Sequence, residues 1–431
     1  MIFLTKTSNY FKFVLVLLLF LNCISIFSVA LADTNIKIAS PSTDLDPDVA
    51  ELLWNYTTNA GVRDVAITAD GGLVAASTYY TDGLVYLFND TASESKTSLW
   101  NYNATTAAYG VDITPNGNHI AVASDTYNVM YFNDTVTSPK IPEWEFAPTS
   151  SYPNDVAISA NGDYIVVATD DGTIHLLNST YSNPKTEMWN YSTGDAVWSA
   201  SISADGNYIA AASWDDHLYV FEKSSSTPLW NFTEGYDVLT VEISDDGNFL
   251  VAGTDNNNTL LFSTSSNVPI WSYNTSGPVY SVAINSNGNY IAVGGNDNTT
   301  YFFERSSSIP LWNYTTDAPI GDYESPHCID ISANGEYLAV GSNDHHIYAF
   351  ERSSGIPLWN YTTGGIIEAV AMSSNGAFIT VGGEDQQVYL FFQDLSTVPP
   401  AGISFGYWFI LFALPALVAV IVIRRKSFKN V

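Results

Sequence analysis

A phrase built on tryptophan recurs eight times along the chain and restricts the fold more than any other feature. Residues 356–365 read IPLWNYTTGG, 309–318 read IPLWNYTTDA, and 227–236 read TPLWNFTEGY. The anchoring residues are Trp54, Trp100, Trp144, Trp189, Trp230, Trp271, Trp312 and Trp359, 41 to 47 residues apart. Eight Asn-Gly or Asp-Gly pairs keep step with them: Asp70-Gly71, Asn116-Gly117, Asn161-Gly162, Asp205-Gly206, Asp246-Gly247, Asn287-Gly288, Asn334-Gly335 and Asn375-Gly376. Such pairs readily take positive φ and suit tight hairpins. The apolar residues around them alternate, as in the VAIS before and the YIAVG after, which is a strand period.

Each repeat therefore supplies four short strands. In the copy at 279–304 they are SVAIN (a), YIAVGG (b) and a third ending YFFE (c), and the tryptophan phrase is d. One four-stranded sheet cannot bury both of its faces. Eight such units at this period predict an all-β, eight-bladed β-propeller over residues 50–394. The first d strand, 52–56, precedes everything else, and no d strand follows the last c strand, 388–392. Closure by strand 52–56 joining the eighth blade would hide both open edges.

The stretch VYSVAINSNGNYIAVGGNDNTTYFFE at 279–304 resembles the WD-repeat pattern. Phe221-Glu222, Phe303-Glu304 and Phe350-Glu351 stand where that family has Trp-Asp, and the family's Gly-His pair is absent. Asp255, Asp297, Asp344 and Asp385 match its turn aspartate, which implies that they tie the b–c turn. The phrase PLWNYTTG is instead similar to the tryptophan motif of quinoprotein-type propellers. Together these resemblances cover about 50–394 and imply a fold, while leaving the activity open.

The ends read as targeting segments. Residues 1–32 have a Lys6/Lys12 head, an apolar middle and an Ala30-Leu31-Ala32 exit, the pattern of a secretory signal. A retained N-terminal anchor is the alternative. A lead-in follows at 33–49. Residues 403–423 carry no charge, long enough as a helix to cross a bilayer, after a linker at 395–402. Arg424, Arg425, Lys426 and Lys429 follow, which places the tail 424–431 in the cytoplasm and the propeller outside. The expected state is a single-pass cell-membrane protein.

Residues 33–400 hold eight Lys or Arg against 44 acids, a net charge near −36. This disfavours nucleic acid, whose phosphates demand cations. With the signal removed, Cys328 is the one cysteine left, so no internal disulfide is expected.

No nucleophile elbow, phosphate loop or metal-binding motif appears, and no metal or cofactor is expected. His345-His346 and the paired aspartates at 170–171, 215–216 and 245–246 fall in turns, where turn chemistry accounts for them. Aligned on strand a, one variable column reads Arg63, Tyr109, Asn154, Ser199, Leu239, Tyr280, His327 and Glu368. It falls at the start of the innermost strand, at the channel mouth, either as a binding surface or as unconstrained surface. The next column is small or short (Asp64, Gly110, Asp155, Ala200, Thr240, Ser281, Cys328, Ala369) and reads as packing near the axis. The longest d–a connection, 315–328, adds Asp322, Tyr323, Glu324 and His327 to the candidate binding residues. Five sequons, Asn55, Asn190, Asn231, Asn313 and Asn360, directly follow an anchor tryptophan; they are glycan sites or solvent-facing partners of the alternation.

Three functions fit these readings. The first is a non-catalytic, membrane-anchored module that binds an unidentified protein or glycan. The second is a structural envelope or adhesion glycoprotein. The third is an enzyme like the quinone-dependent dehydrogenases, whose sites the resemblance associates with a catalytic Asp, calcium ligands and adjacent cysteines; this chain has no adjacent cysteine pair.

Overall fold

Eight four-stranded antiparallel sheets are arranged as blades around a channel. The first seven occupy 62–103, 108–146, 153–192, 197–233, 238–274, 279–315 and 329–362. The eighth pairs strands Ile367–Met372, Phe378–Gly383 and Gln387–Gln393 with the opening strand Ala50–Thr57, in the order predicted from the sequence. Trp54 there sits opposite Leu390 and Asn55 opposite Tyr389. The computed structural model describes residues 49–396, apart from 80–82, 94, 105, 127, 134–139, 149–150, 181, 183 and 324. The expected signal at 1–32, the apolar stretch 403–423 and the basic tail lie outside the described residues. Among the described residues, no helix is long and apolar enough to cross a membrane.

The burial pattern follows from blades packing on both faces. Strands b and c are buried along nearly their whole length, as in Tyr290–Gly295 and Thr299–Glu304. Strand d is the outer edge and alternates: Trp271 and Tyr273 are half-buried, while Ser272 and Asn274 are exposed. Face-to-face packing of this kind leaves each blade dependent on its neighbours for its core.

The tryptophan staples one blade to the next. Trp271, on blade 5, packs on Phe303 of blade 6 at 5.2 Å between ring centroids, and its indole N–H donates to the Arg305 carbonyl at 2.8 Å. Trp189, Trp230 and Trp312 repeat the arrangement on Lys223, Thr264 and Arg352. The cations close the same joints from the other side: Lys223 lies over Tyr164, Arg305 over Phe249 and Arg352 over Tyr290. These are cation–π contacts between neighbouring blades.

Alternation of strands gives the disc two faces. The d–a connections and b–c turns share one face; the a–b hairpins and c–d connections share the other. The Asn-Gly glycines sit in left-handed conformation, as at Gly335 with φ +69°.

Candidate functional site

The mouth of the channel, on the d–a face, is built from a backbone irregularity. In seven blades strand a skips a register between its first and third residues, so that one residue bulges: Arg63, Tyr109, Asn154, Trp198, Leu239, Tyr280 and Glu368. A bulge re-aims its side chain, which leaves this column free to hold large and varied residues. The fourth copy corrects the sequence alignment. Ser199 is a paired residue opposite Ala212, and Trp198 is the residue at the mouth, stacked on Trp214 at 4.8 Å.

The long connection before blade 7 folds across this mouth. Arg63 of blade 1 and Glu368 of blade 8 form an ion pair at 3.3 Å, both nearly buried. Ser325 from the connection lies between them, accepting from Arg63 at 3.1 Å and donating to Glu368. Tyr79 also donates to Glu368, at 3.2 Å. Tyr280 is buried beneath Tyr323, edge to face at 5.0 Å, and the Tyr323 hydroxyl donates to Asp255 at 2.6 Å. Of the residues named from the sequence, Arg63, Tyr109, Asn154, His327 and Glu368 line one small cleft. Tyr280 joins Tyr323 beside it, Asp322 lies on the same connection, and Glu324 is outside the described residues. Asp255 is not a turn aspartate: Asn256 fills that place, accepting from Thr254 at 2.6 Å. Asp297, Asp344 and Asp385 do tie the turn. Asp297, for instance, accepts from the Ser276 and Thr299 N–H groups and the Tyr301 hydroxyl.

Below the mouth, a channel of about 270 Å³ is lined by Asp64, Asp112, Asp155, Glu242, Asp330 and His327. The expectation that the second column is only packing is thus corrected at Asp64 and Asp155. Innermost strands have backbone N–H groups that no further strand pairs, and buried donors of this kind must be satisfied. Four of the acids do so for two residues each. Asp64 accepts from Val65 and, on the next blade, Val111, both at 2.9 Å. Asp112 accepts from Ile113 and Ile158, Asp155 from Val156 and Ala200, and Asp330 from Ile331 and Met372. Glu242 reaches Ile284, while Ser199, Ser201 and Ser281 serve the remaining joints.

The electrostatics follow from that enclosure. Burial pushes the Asp112 and Asp330 carboxyls up to about 7, against the pull of their two N–H donors. Burial raises Asp155 and Glu242 as well. His327 enters the channel from the connection, with Nδ1 3.2 Å from Asp64 and Nε2 4.0 Å from Asp155. Burial alone would lower its pKa, but the two carboxylates outweigh that and raise it to about 10. Its ring is 40% accessible, because the channel itself admits water. Cys328 is fully buried and its thiol is pushed well up by burial, so it packs rather than reacts.

The charge outside is one-sided. The described cations are all engaged within the fold: Arg63 with Glu368, Lys96 and Lys185 over Trp54 and Trp144, Lys140 on the Asn133 carbonyl, and Lys223, Arg305 and Arg352 as above. Asp195, Asp216, Asp237 and Asp255 gather on the d–a face, where burial and their mutual repulsion raise Asp237. Of the sequons after anchor tryptophans, Asn55, Asn190, Asn231 and Asn313 are exposed, whereas Asn360 is only 8% exposed and has no room for a glycan.

A family model described as outer membrane protein assembly factor BamB matches residues 181–366, and the WD domain, G-beta repeat, matches 143–178. No curated protein matches the chain. Among solved structures, Sqt1 from Chaetomium thermophilum is similar with a TM-score of 0.68 at 17% identity, covering 80% of this chain and 98% of Sqt1. The same protein bound to the N-terminus of the ribosomal protein L10 gives 0.65 at 16%, covering 78% and 97%. These identities speak to fold alone. A quinone cofactor bearing carboxylates would need cations around it. The channel instead presents five acids and one cation, His327, already paired with Asp64, so its residues do not fit such a group. Repeat, blade topology and both family matches lead to one conclusion: this chain is an eight-bladed, WD-repeat-like β-propeller that carries the tryptophan phrase of quinoprotein-type repeats.

Proposed function

We propose that this protein is a non-catalytic scaffold, held at the cell membrane by residues 403–423 with its propeller outside, that takes a basic protein partner on the d–a face. The observation that carries this reading is the composition of that face. Its exposed large side chains are tyrosines, Tyr152, Tyr236 and Tyr323, beside Asp195, Asp216, Asp237 and Asp255. Tyrosine suits an interface because it offers a large rigid surface with one polar tip. Acids with no free cation nearby favour a basic partner and speed its encounter. The plugged mouth makes this face a surface for a macromolecule rather than a pocket for a small substrate.

The test is chemical crosslinking in native membranes with Asp216, Asp237 and Asp255 changed to Asn. A crosslinked complex should form with the unaltered chain, weaken as salt rises, and disappear in the variant. A complex indifferent to both changes would remove the reading.

A second reading, an envelope glycoprotein, is favoured by the exposure of Asn55, Asn190, Asn231 and Asn313 on outer strands. Glycopeptide mass spectrometry of the native protein tests it.

A further inference from the structure

The face opposite the mouth has a different surface. The exposed large aliphatic side chains all belong to c–d connections. Apart from Ile141 on blade 2, they run consecutively around blades 4 to 7: Leu229, Val268, Ile270, Ile309, Leu311 and Ile356, with Ile309 at 75% and Ile356 at 73% exposure. Side chains this apolar and this exposed, in one arc, mark a contact surface.

The arc is poor in acid between its strands, with Glu222 and Glu304 exposed at the strand ends that precede two of its connections. Its connections read KSSSTPL at 223–229, TSSNVPI at 264–270, RSSSIPL at 305–311 and RSSGIPL at 352–358. No carboxylate appears in any of them, in a chain with 44 acids. Behind the aliphatics stand Trp230, Trp271 and Trp312, each half-buried with its indole N–H tied to the next connection. Aliphatic tips, hydroxyls and tryptophans at one level are the composition of a membrane interface.

The occupant follows from where the chain leaves the fold. Strand c of blade 8 ends at Gln393 on this same face, next to blade 7 where the arc ends. Six residues, 397–402, then separate the last described residue from the apolar stretch at 403. Six residues can span at most about 20 Å. The chain therefore leaves the fold on the side of this rim, and a bilayer holding 403–423 is within reach of it.

We infer that the c–d rim of blades 4 to 7 rests on the lipid surface of the membrane that holds residues 403–423. This rests on the anchored reading above. The a–b hairpins of the same face carry Asp205, Asp245 and Asp246, which prefer water, so the rim touches and the disc tilts. The d–a face then points away from the membrane. Glycans at Asn231 or Asn313 would occupy the same space, because each lies two residues beyond Leu229 or Leu311.

The experiment uses the full chain in phosphatidylcholine nanodiscs, with an environment-sensitive fluorophore on a cysteine at Ile309, Ile356 or Tyr236. All three positions are exposed, so folding is not at stake. Spin-labelled lipid should quench the 309 and 356 labels at least about twofold more than the 236 label, as expected for side chains at the headgroup boundary. Incorporation into nanodiscs with equal quenching at all three positions would overturn the rim contact and leave the anchor standing. Failure to incorporate would overturn the anchor and the inference with it. Full glycan occupancy of Asn231 and Asn313 in the native protein would also overturn the rim contact.

Discussion

Arg63 Nη1 and Glu368 Oε2 lie 3.3 Å apart across the joint between the first and last blades. Every other joint has a channel-side acid or serine of one blade accepting an N–H from the next. At this joint the channel-side contact is an ion pair, with Ser325 lodged in it. The ring is thus closed twice, by strand Ala50–Thr57 at the rim and by this pair at the axis.

Removing one member of a buried pair strands the other charge. Glu368→Ala should cost about 3–5 kcal/mol in urea unfolding. The double variant Arg63→Met with Glu368→Leu should recover most of that loss. A cost below about 1 kcal/mol for the single variant would show that the pair is hydrated. Deleting residues 50–57 should likewise lower the melting temperature sharply, since it reopens the eighth blade.

The anchor tryptophans are not equivalent. The buried Trp359 donates to the Gln393 side-chain carbonyl at 2.9 Å, whereas the buried Trp54 indole N–H has no acceptor. Trp359→Phe and Trp54→Phe remove similar surface. The first should therefore cost about 1 kcal/mol more than the second, by the worth of one hydrogen bond. Equal losses in chemical denaturation would contradict the staple.

Stability should fall as pH rises. The Asp112 and Asp330 carboxyls, raised to about 7, bind protons in the fold that the unfolded chain has released. That contribution is present below about 4 and is lost by about 7. His327, raised to about 10, contributes stability fully present below its unfolded value near 6.5 and lost as pH passes through 10. The melting temperature should decline from pH 5 to pH 9. His327→Gln should flatten the upper part of that decline and leave the part below pH 6.5.

Two glycines separate backbone strain from packing. Gly335 and Gly235 both have left-handed φ, +69° and +81°. A Cβ on Gly335 would lie 2.4 Å from the Tyr290 ring, while one on Gly235 meets nothing within 4 Å. Gly335→Ala should cost about 1–2 kcal/mol more than Gly235→Ala, the difference being overpacking.

Much of this molecule is legible in its sequence because repetition multiplies weak signals. One Asp-Gly pair says little, but eight in step with eight tryptophans specify blades, and the unpaired strand at 52–56 specifies closure. The inner ring was harder to read. Asp64 and Asp155 share a column with Gly110 and Ser281, so a size criterion hides their charge. Asp112, Glu242 and Asp330 sit two residues further, where the other copies have alanine or, at Ser201, serine. The compensation between those columns was the available signal: Asp64 goes with Ala66, Gly110 with Asp112, Asp155 with Ala157 and Cys328 with Asp330. Trp198 was missed because a bulge shifts the register by one, and no periodicity reports that. The pairing of Ser325 with residues far away in sequence is a property of the closed ring alone.

The proposed orientation gives the two faces opposite surroundings, and one measurement compares them directly. A photo-crosslinking amino acid is placed at Tyr323 or at Ile309 in the full chain and activated in the native membrane. A protein adduct from position 323 and a lipid adduct from position 309 are expected. A protein adduct from 309 with none from 323 would contradict that orientation.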